Sequence, residues 1–159
     1  MHQAVFPVFS RGGGVVNMSF RENESPQSER ERFLRQQQVL AKFGEIALRS
    51  SNLDEILTEA CRLVGDALDT DLAKVMSLLD DGVTLLVRAG IGWNPGVVGH
   101  AKVRTDIGSS EGYALRTGEP VASVDIDKEH RFTYAQFILD HDVKALINVI
   151  IIGDQDTRP

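Results

Sequence analysis

The chain has 159 residues, of which 42% are hydrophobic and 25% are charged, and its formal net charge at pH 7 is −6. This length and composition predict one globular domain with a core of its own and a tail. The negative net charge argues against a general nucleic-acid-binding protein, because neutralising phosphates requires a concentrated basic face.

The single cysteine, Cys61, excludes a disulfide framework and a thiolate metal cage within one chain. No apolar run reaches the length of a membrane span. The short apolar stretch at residues 4–9 is interrupted by Pro7, which argues against a secretory signal. Together these features favour a reducing, cytoplasmic setting.

The first 25 residues are predicted to be a disordered extension, and either Met1 or Met18 is the true start. A long helix is predicted over residues 26–49, because Ser25-Pro26 is a helix start and good helix formers follow. Leu40 and Phe43 belong to an apolar stripe in its second half, whereas its first half is mostly polar. Such a helix is predicted to reach beyond its domain or to pack on a partner.

A second helix is predicted to begin after Asn52, because Asn52 and Glu55 have the spacing of a capping box. Apolar residues then recur at intervals of three and four as far as Leu68. Cys61 lies in this apolar stripe, so a buried structural thiol is favoured over a reactive one, which needs exposure and a neighbouring cation.

The rest of the chain alternates strand-like runs with short helices. Asp80-Asp81-Gly82 is a hairpin turn signal between two such runs. The predicted strands are residues 72–79, 83–90, 101–104, 121–126 and 145–152, and a short helix is predicted over 132–139. The resulting order, α-α-β-β-(β)-α-β-α-β, predicts an α+β domain built on an antiparallel sheet.

The segment SSEGYALRTGEPV, residues 109–121, is predicted to be a short helix with its start and stop signals. Ser109 or Ser110 caps its first turn, Gly118 ends it in a left-handed conformation, and Pro120 prevents continuation. A phosphate cradle is the alternative, but the segment has neither GxxxxGK nor GxGxxG, and Glu111 would repel an anion.

The same segment, and the later segment HDVKALINVIII, resemble the GAF family, in the form found in bacterial sensor histidine kinases. The resemblance covers residues 35–153, including the two leading helices and LLVRAGIGW. It implies a GAF-like sheet with the amino-terminal helices on one face, and a sensory or regulatory role. The residues that carry it are Gly112, Ala114, Leu115, Thr117, Gly118, Pro120, Asp125, His141, Val143, Ala145 and Val149.

Two departures from the family pattern concern the end of the chain. Ile150 stands where family members commonly have proline. The family continues through a further strand and a terminal helix, so the GAF-like domain at 35–159 is predicted to be truncated at its carboxyl end. A truncated sheet would expose an edge and lack one covering helix.

No cofactor is identifiable from the family's chemistries. Cys61 lies on the second helix, away from the bilin-attachment position of related domains, and sulfoxide-reducing members need more than one cysteine. The cyclic-nucleotide pattern is absent. Asp125, Asp127 and Glu129 suggest a calcium loop, but His130 replaces the required glycine, so a solvated loop is favoured and no metal is expected. An unknown small-molecule ligand stays open.

Aromatic residues in the later loops and helices are predicted to enclose a small-molecule pocket, with Asp125 and His141 as polar anchors. The alternative is that these aromatics only close the core. The candidate pocket residues are Trp93, Tyr113, Asp125, Phe132, Tyr134, Phe137 and His141.

Three functions remain open at this point. The first is a non-catalytic sensory domain of a two-component histidine kinase, which forms a homodimer through helix 26–49 and the second helix and signals to an adjoining module. The second is a ligand-free dimerisation scaffold. The third is a small enzyme using His141 and Asp125 as acid and base, although the sequence has no nucleophile elbow.

Overall fold

The computed structural model describes residues 3–10 and 26–152. These residues form one six-stranded antiparallel sheet with four helices, and the strand order is β4-β3-β2-β1-β6-β5. The predicted α+β class with an antiparallel sheet is confirmed. The elements are β1 Gln3–Ser10, α1 Pro26–Arg49, α2 Leu53–Leu68, β2 Leu72–Leu78, β3 Thr84–Ile91, β4 Lys102–Arg104, α3 Ser110–Thr117, β5 Val121–Ser123, α4 Gln136–Leu139 and β6 Ala145–Ile152.

α2 lies on one face of the sheet, and α1 packs on α2. The side chain of Asn52 accepts hydrogen bonds from the backbone N–H groups of Asp54 and Glu55, which confirms the predicted cap of α2. α2 packs on β2 and β3 through a cluster that includes Cys61 and Ala73. Burial raises the pKa of the Cys61 thiol to about 12, so the thiolate is scarce at neutral pH and a structural role follows.

A tight turn joins β2 and β3, as predicted. The Asp81 carboxylate accepts hydrogen bonds from the backbone N–H groups of Val83 and Thr84, and Gly82 has a φ of +70°. Glycine adopts this left-handed conformation without steric cost, which explains why the turn falls at this position. β2 then pairs with β3 in an antiparallel ladder.

Residues 3–10 form a central strand, so the prediction of disorder for residues 1–25 is wrong in this segment. β1 pairs with both β2 and β6, and Val5, aligned with Met76 and Ile150, is fully buried. Pro7 is a local strand breaker, but pairing with two distant strands depends on contacts that local signals do not reveal. Residues 1, 2 and 11–25, Met18 among them, lie outside the described residues.

β1 also changes the predicted relation among the later strands. β2 and β6 belong to one sheet, as expected, but they are not neighbours because β1 lies between them. The predicted open edge is absent at β6, which pairs with β1 on one side and β5 on the other. Val149 and Ile151 on β6 are about 40% exposed. Truncation at the carboxyl end stays a prediction.

The opposite face of the sheet is covered by α3, α4 and the loops between β3 and β6. Two hydrophobic clusters lie beneath this cover, one around Met76 and Val87 and the other around Leu72 and Leu146. Trp93 and Phe137 pack against both clusters. β5 is shorter than predicted and ends at Ser123, because the chain turns there and the Ile126 N–H bonds to the Lys144 carbonyl.

Candidate functional site

A buried ion pair lies between the sheet and α3. Lys74 on β2 and Glu111 in the first turn of α3 are both inaccessible to solvent, and Nζ lies 3.2 Å from Oε1. The Ser110 hydroxyl donates to the other carboxylate oxygen at 3.0 Å. Burial lowers the pKa of Lys74, although the neighbouring Glu111 carboxylate raises it in part.

The first turn of α3 is shaped to bring Glu111 against the sheet. The Ser109 hydroxyl accepts the Gly112 N–H and donates to the Arg104 carbonyl, so Ser109 is the predicted N-cap. A Cβ on Gly112 would lie 2.3 Å from the Thr105 carbonyl oxygen, so only glycine permits this close approach. Gly118 ends the helix with a φ of +71°, as predicted. These local features confirm capping and not a phosphate cradle for this segment.

Aromatic side chains cover the ion pair from the loop side. Lys74 Nζ lies 4.6 Å from the ring centroid of Phe137 and 5.7 Å from that of Trp93. Trp93 makes edge contacts with Phe137 and His141, with centroids 5.5 and 4.8 Å apart. The ring faces attract the ammonium group, so the cover stabilises the charge that burial disfavours.

His141 fixes this cover through its two ring nitrogens. Nε2 lies 2.8 Å from the backbone nitrogen of Asn94, which can only donate, and Nδ1 lies 2.6 Å from the Phe137 carbonyl oxygen, which can only accept. These partners require a neutral imidazole protonated at Nδ1. Trp93 Nε1 donates to the Ala73 carbonyl at 2.9 Å, so the loop carrying Trp93 is held to α4 and to β2.

A hydrogen-bonded chain runs from the interior beside this cover to the surface. The Tyr134 hydroxyl donates to Ser123 Oγ at 2.8 Å, and Ser123 donates to the Glu129 carboxylate at 3.2 Å. Hydrogen bonds from Arg131 lower the pKa of Glu129 to about 2, and burial raises the pKa of Tyr134. Glu129 is therefore ionised and Tyr134 neutral at physiological pH.

One buried polar side chain has no hydrogen-bond partner among the residues that the structure describes. Asn148 on β6 is fully buried, and neither its Nδ2 nor its Oδ1 makes a hydrogen bond. Its neighbours on the adjacent strands are Pro7 and Val121, whose side chains cannot form one. An orphaned buried amide is unusual in a native protein and points to a missing partner.

Not all the predicted pocket residues meet in this site. Trp93, Phe137 and His141 are in mutual contact, and Tyr134 packs against the same cluster as Trp93. Two other candidates lie apart from them: Tyr113 and Phe132 form an edge pair at 5.5 Å, and Tyr113 is 44% exposed.

Asp125 has a surface role that does not fit a pocket anchor. Its carboxylate pairs with Lys128 at 2.7 Å and accepts the Asp127 N–H, both in an exposed turn. Its pKa is lowered chiefly by the hydrogen bond from Lys128. Among the residues that the structure describes, no group of three His, Cys, Asp or Glu side chains is placed to hold a metal ion.

Lys74, Glu111 and Asn148 were not among the predicted site residues. The sequence does hold one signal for them, because Lys74 and Asn148 are polar residues inside the apolar runs LAKVMSL and ALINVIII. A buried charge needs a counter-charge. The identity of that partner, 37 positions away in the chain, depends on the fold.

A comparison with protein-family models matches residues 52–157 to the GAF domain. The match covers more than half of the chain. The chain belongs to the GAF family. The expected resemblance is thus confirmed at the level of the family, and a GAF domain is a regulatory or sensory fold that serves signal transduction in general.

Solved GAF structures have the same fold at low sequence identity. The GAF domain of a phosphoenolpyruvate-protein phosphotransferase (ptsP) from Coxiella burnetii has a TM-score of 0.59 at 14% identity, over 74% of this chain and 77% of that one. The GAF domain of an Acinetobacter phosphoenolpyruvate-protein phosphotransferase has a TM-score of 0.55 at 20% identity, over 80% and 81%. The A. aeolicus nlh2 GAF domain in an inactive state has a TM-score of 0.57 at 14% identity, over 79% and 85%.

A search of curated protein sequences found no match to this GAF domain. Within residues 3–10 and 26–152, no helix combines the length and the apolar character needed to cross a membrane.

Proposed function

We propose that this GAF domain is the sensory module of a bacterial two-component sensor histidine kinase and works in the cytoplasm. It binds a small molecule between the sheet and the aromatic cover, and it performs no catalysis. The observation that carries the proposal is the buried polar site of Lys74, Glu111 and Asn148 beneath Trp93 and Phe137. Apolar walls with a few convergent polar groups are typical of small-molecule pockets.

The contacts of the two proposed acid–base residues support a non-catalytic role. Both ring nitrogens of His141 face backbone groups, and Asp125 pairs with Lys128 on the surface. General acid–base catalysis needs groups that reach the same reacting atoms. Neither side chain is placed for that, so the enzyme hypothesis has no support from their contacts.

Binding is expected to change the fluorescence of Trp93, which is the single tryptophan of the chain and lies in the cover. A ligand entering beneath it alters the contacts of the indole ring and raises the melting temperature by mass action. The measurement is a metabolite screen read by both signals. The Phe137→Ala variant, which opens the same cover, is expected to weaken each hit at least tenfold, whereas Phe132→Ala, on the separate aromatic pair, leaves it unchanged.

A screen without any hit that moves both signals would contradict the sensory proposal. The ligand-free dimerisation scaffold would then be favoured, because Trp93 and Phe137 already pack directly against the core clusters. In that case the aromatics only close the core.

The proposed homodimer forms through α1, assisted by α2. Exposed apolar residues lie along one side of α1. They include Phe33, Leu40 and Leu48, which are seven and eight positions apart and are 58, 63 and 90% exposed. The half-buried residues Val39, Phe43 and Ile46 lie on a different face, which packs on α2. Apolar residues spaced about two helical turns apart form an exposed stripe, which favours packing against another helix.

Leu40→Glu combined with Leu48→Glu is expected to convert the dimer into a monomer, because charged side chains cannot be buried in an apolar seam. Analytical ultracentrifugation measures the mass across a concentration series. Gln38→Glu adds charge to another exposed face of α1 and should leave the dimer intact. A wild-type chain that is monomeric at all concentrations would contradict this proposal.

A further inference from the structure

The orphaned amide of Asn148 lies at the middle of the covered face of the sheet. It shares this face of β6 with Leu146 and Ile150, which belong to the two separate core clusters. Trp93 and Phe137 pack against both clusters, so the aromatic cover spans the position of Asn148. α3 contacts β1, β5 and β6 and closes the site from the other side.

The strand register brings this amide close to the buried ion pair. Pro7 is aligned with Asn148 on one side. The register of β1 with β2, which pairs Val5 with Met76 and Val8 with Ala73, brings Lys74 opposite Pro7 on the other side. Because neighbouring strands are about 4.8 Å apart, the backbone positions of Lys74 and Asn148 lie about 10 Å apart on either side of Pro7 and on the same face of the sheet.

The charge of this site is already balanced without a ligand. Lys74 is paired with Glu111, and both are buried. A charged ligand would leave one unpaired charge in a low-dielectric interior, which is strongly unfavourable. Among the buried side chains in the described part of the chain, the hydrogen-bonding capacity that remains is that of the Asn148 amide, with a donor and an acceptor side by side.

We propose that Asn148 is the anchor of an uncharged ligand whose edge carries an adjacent donor and acceptor, as in a carboxamide, a lactam or a nucleobase. Two parallel hydrogen bonds join this edge to Oδ1 and Nδ2. The inference rests on the small-molecule pocket proposed above and names the ligand class that it selects. A ligand with a carboxylate in place of the carboxamide is expected to bind more weakly, because Lys74 and Glu111 already neutralise each other and the added charge would stay unpaired.

The test compares nicotinamide with nicotinate. Both have the same pyridine ring, but nicotinamide carries an uncharged carboxamide and nicotinate carries a carboxylate. Nicotinamide is expected to raise the melting temperature of the wild-type chain and to shift the side-chain NH₂ resonances of Asn148 in a ¹⁵N-resolved NMR spectrum. Nicotinate is expected to bind at least tenfold more weakly. Comparison with the spectrum of Asn148→Leu identifies the Asn148 resonances, since that variant lacks them.

Asn148→Leu has a second expected effect in the absence of any ligand. It removes two orphaned polar atoms at nearly constant volume, so its melting temperature is expected to rise, while its response to nicotinamide is lost. If leucine does not pack, Asn148→Thr serves as a second variant with the same expected loss of response.

Three results would overturn the inference. Equal or tighter binding of nicotinate would refute the charge argument and leave the pocket standing. Binding of other compounds, read by Trp93, without any movement of the Asn148 resonances would show that the anchor lies elsewhere. Absence of a nicotinamide response in the wild-type chain, together with a lower melting temperature of Asn148→Leu, would assign the amide a structural role.

Discussion

The Val5→Asp variant is expected to lose about 4 kcal/mol or more of unfolding free energy, which is enough to unfold a domain of ordinary stability. Val5 is fully buried at the centre of β1, between Met76 on β2 and Ile150 on β6. A carboxylate at this position would be buried without a counter-charge. The measurement is urea denaturation followed by circular dichroism.

Val124→Asp is the matched control, because Val124 is 65% exposed and exposed substitutions usually change stability by less than about 0.5 kcal/mol. Removal of residues 1–10 should be as damaging as Val5→Asp, since it takes a strand from the middle of the sheet. A synthetic peptide of residues 1–10 should restore the fold of that shortened chain. Equal stability of wild-type and Val5→Asp chains would show that β1 is not part of the sheet.

The second large effect concerns the buried ion pair. Lys74→Met alone is expected to destabilise the domain by about 3–5 kcal/mol, because it leaves the Glu111 carboxylate buried without its counter-charge. The double variant Lys74→Met/Glu111→Leu should recover most of this loss, since apolar replacements of a buried pair are often neutral or stabilising. Urea denaturation of the two single variants and the double variant gives the coupling energy.

The exposed pair of Lys128 and Asp125 is the control for this cycle. Its lysine is 84% exposed, so Lys128→Met should cost less than about 1 kcal/mol. Additive effects of the Lys74 and Glu111 substitutions would contradict a direct interaction between the two side chains.

The same ion pair is expected to make stability depend on pH. Because burial lowers the pKa of Lys74 below its ordinary value of 10.5, the unfolded chain binds more protons between the folded and the unfolded pKa. Unfolding free energy therefore rises with pH through that window. Glu111→Gln removes the carboxylate whose attraction raises the pKa of Lys74, so the pKa of Lys74 in the folded chain falls further. The unfolding free energy of this variant therefore begins to rise at a lower pH.

Much of the local structure was predictable because its causes lie within a few residues. The cap of α2 is made by Asn52 and the backbone N–H groups of Asp54 and Glu55, and Gly118 ends α3 through its own left-handed conformation. The β2–β3 turn depends on Asp81 and Gly82. The order and spacing of such elements were enough to indicate the GAF family, which the family comparison confirms.

The candidate site was only partly predictable. Trp93, Phe137 and His141 were expected to enclose a pocket because aromatic residues in loops over a sheet commonly cover one, and these three do meet. Tyr113, Phe132 and Asp125 have the same residue types, but they lie elsewhere. Residue type alone does not tell which side of a short helix or turn faces the sheet.

The amino-acid sequence by itself determined the main helices and turns, because hydrogen bonds between near neighbours define them, and it indicated the family through the order and spacing of these elements. Only the tertiary structure decided that residues 3–10 are the fourth strand of the sheet, that Lys74 meets Glu111, and that Asn148 lacks a partner. Each of these depends on which distant segments pair and in what register. A shift of one residue would turn every side chain of a strand to the other face.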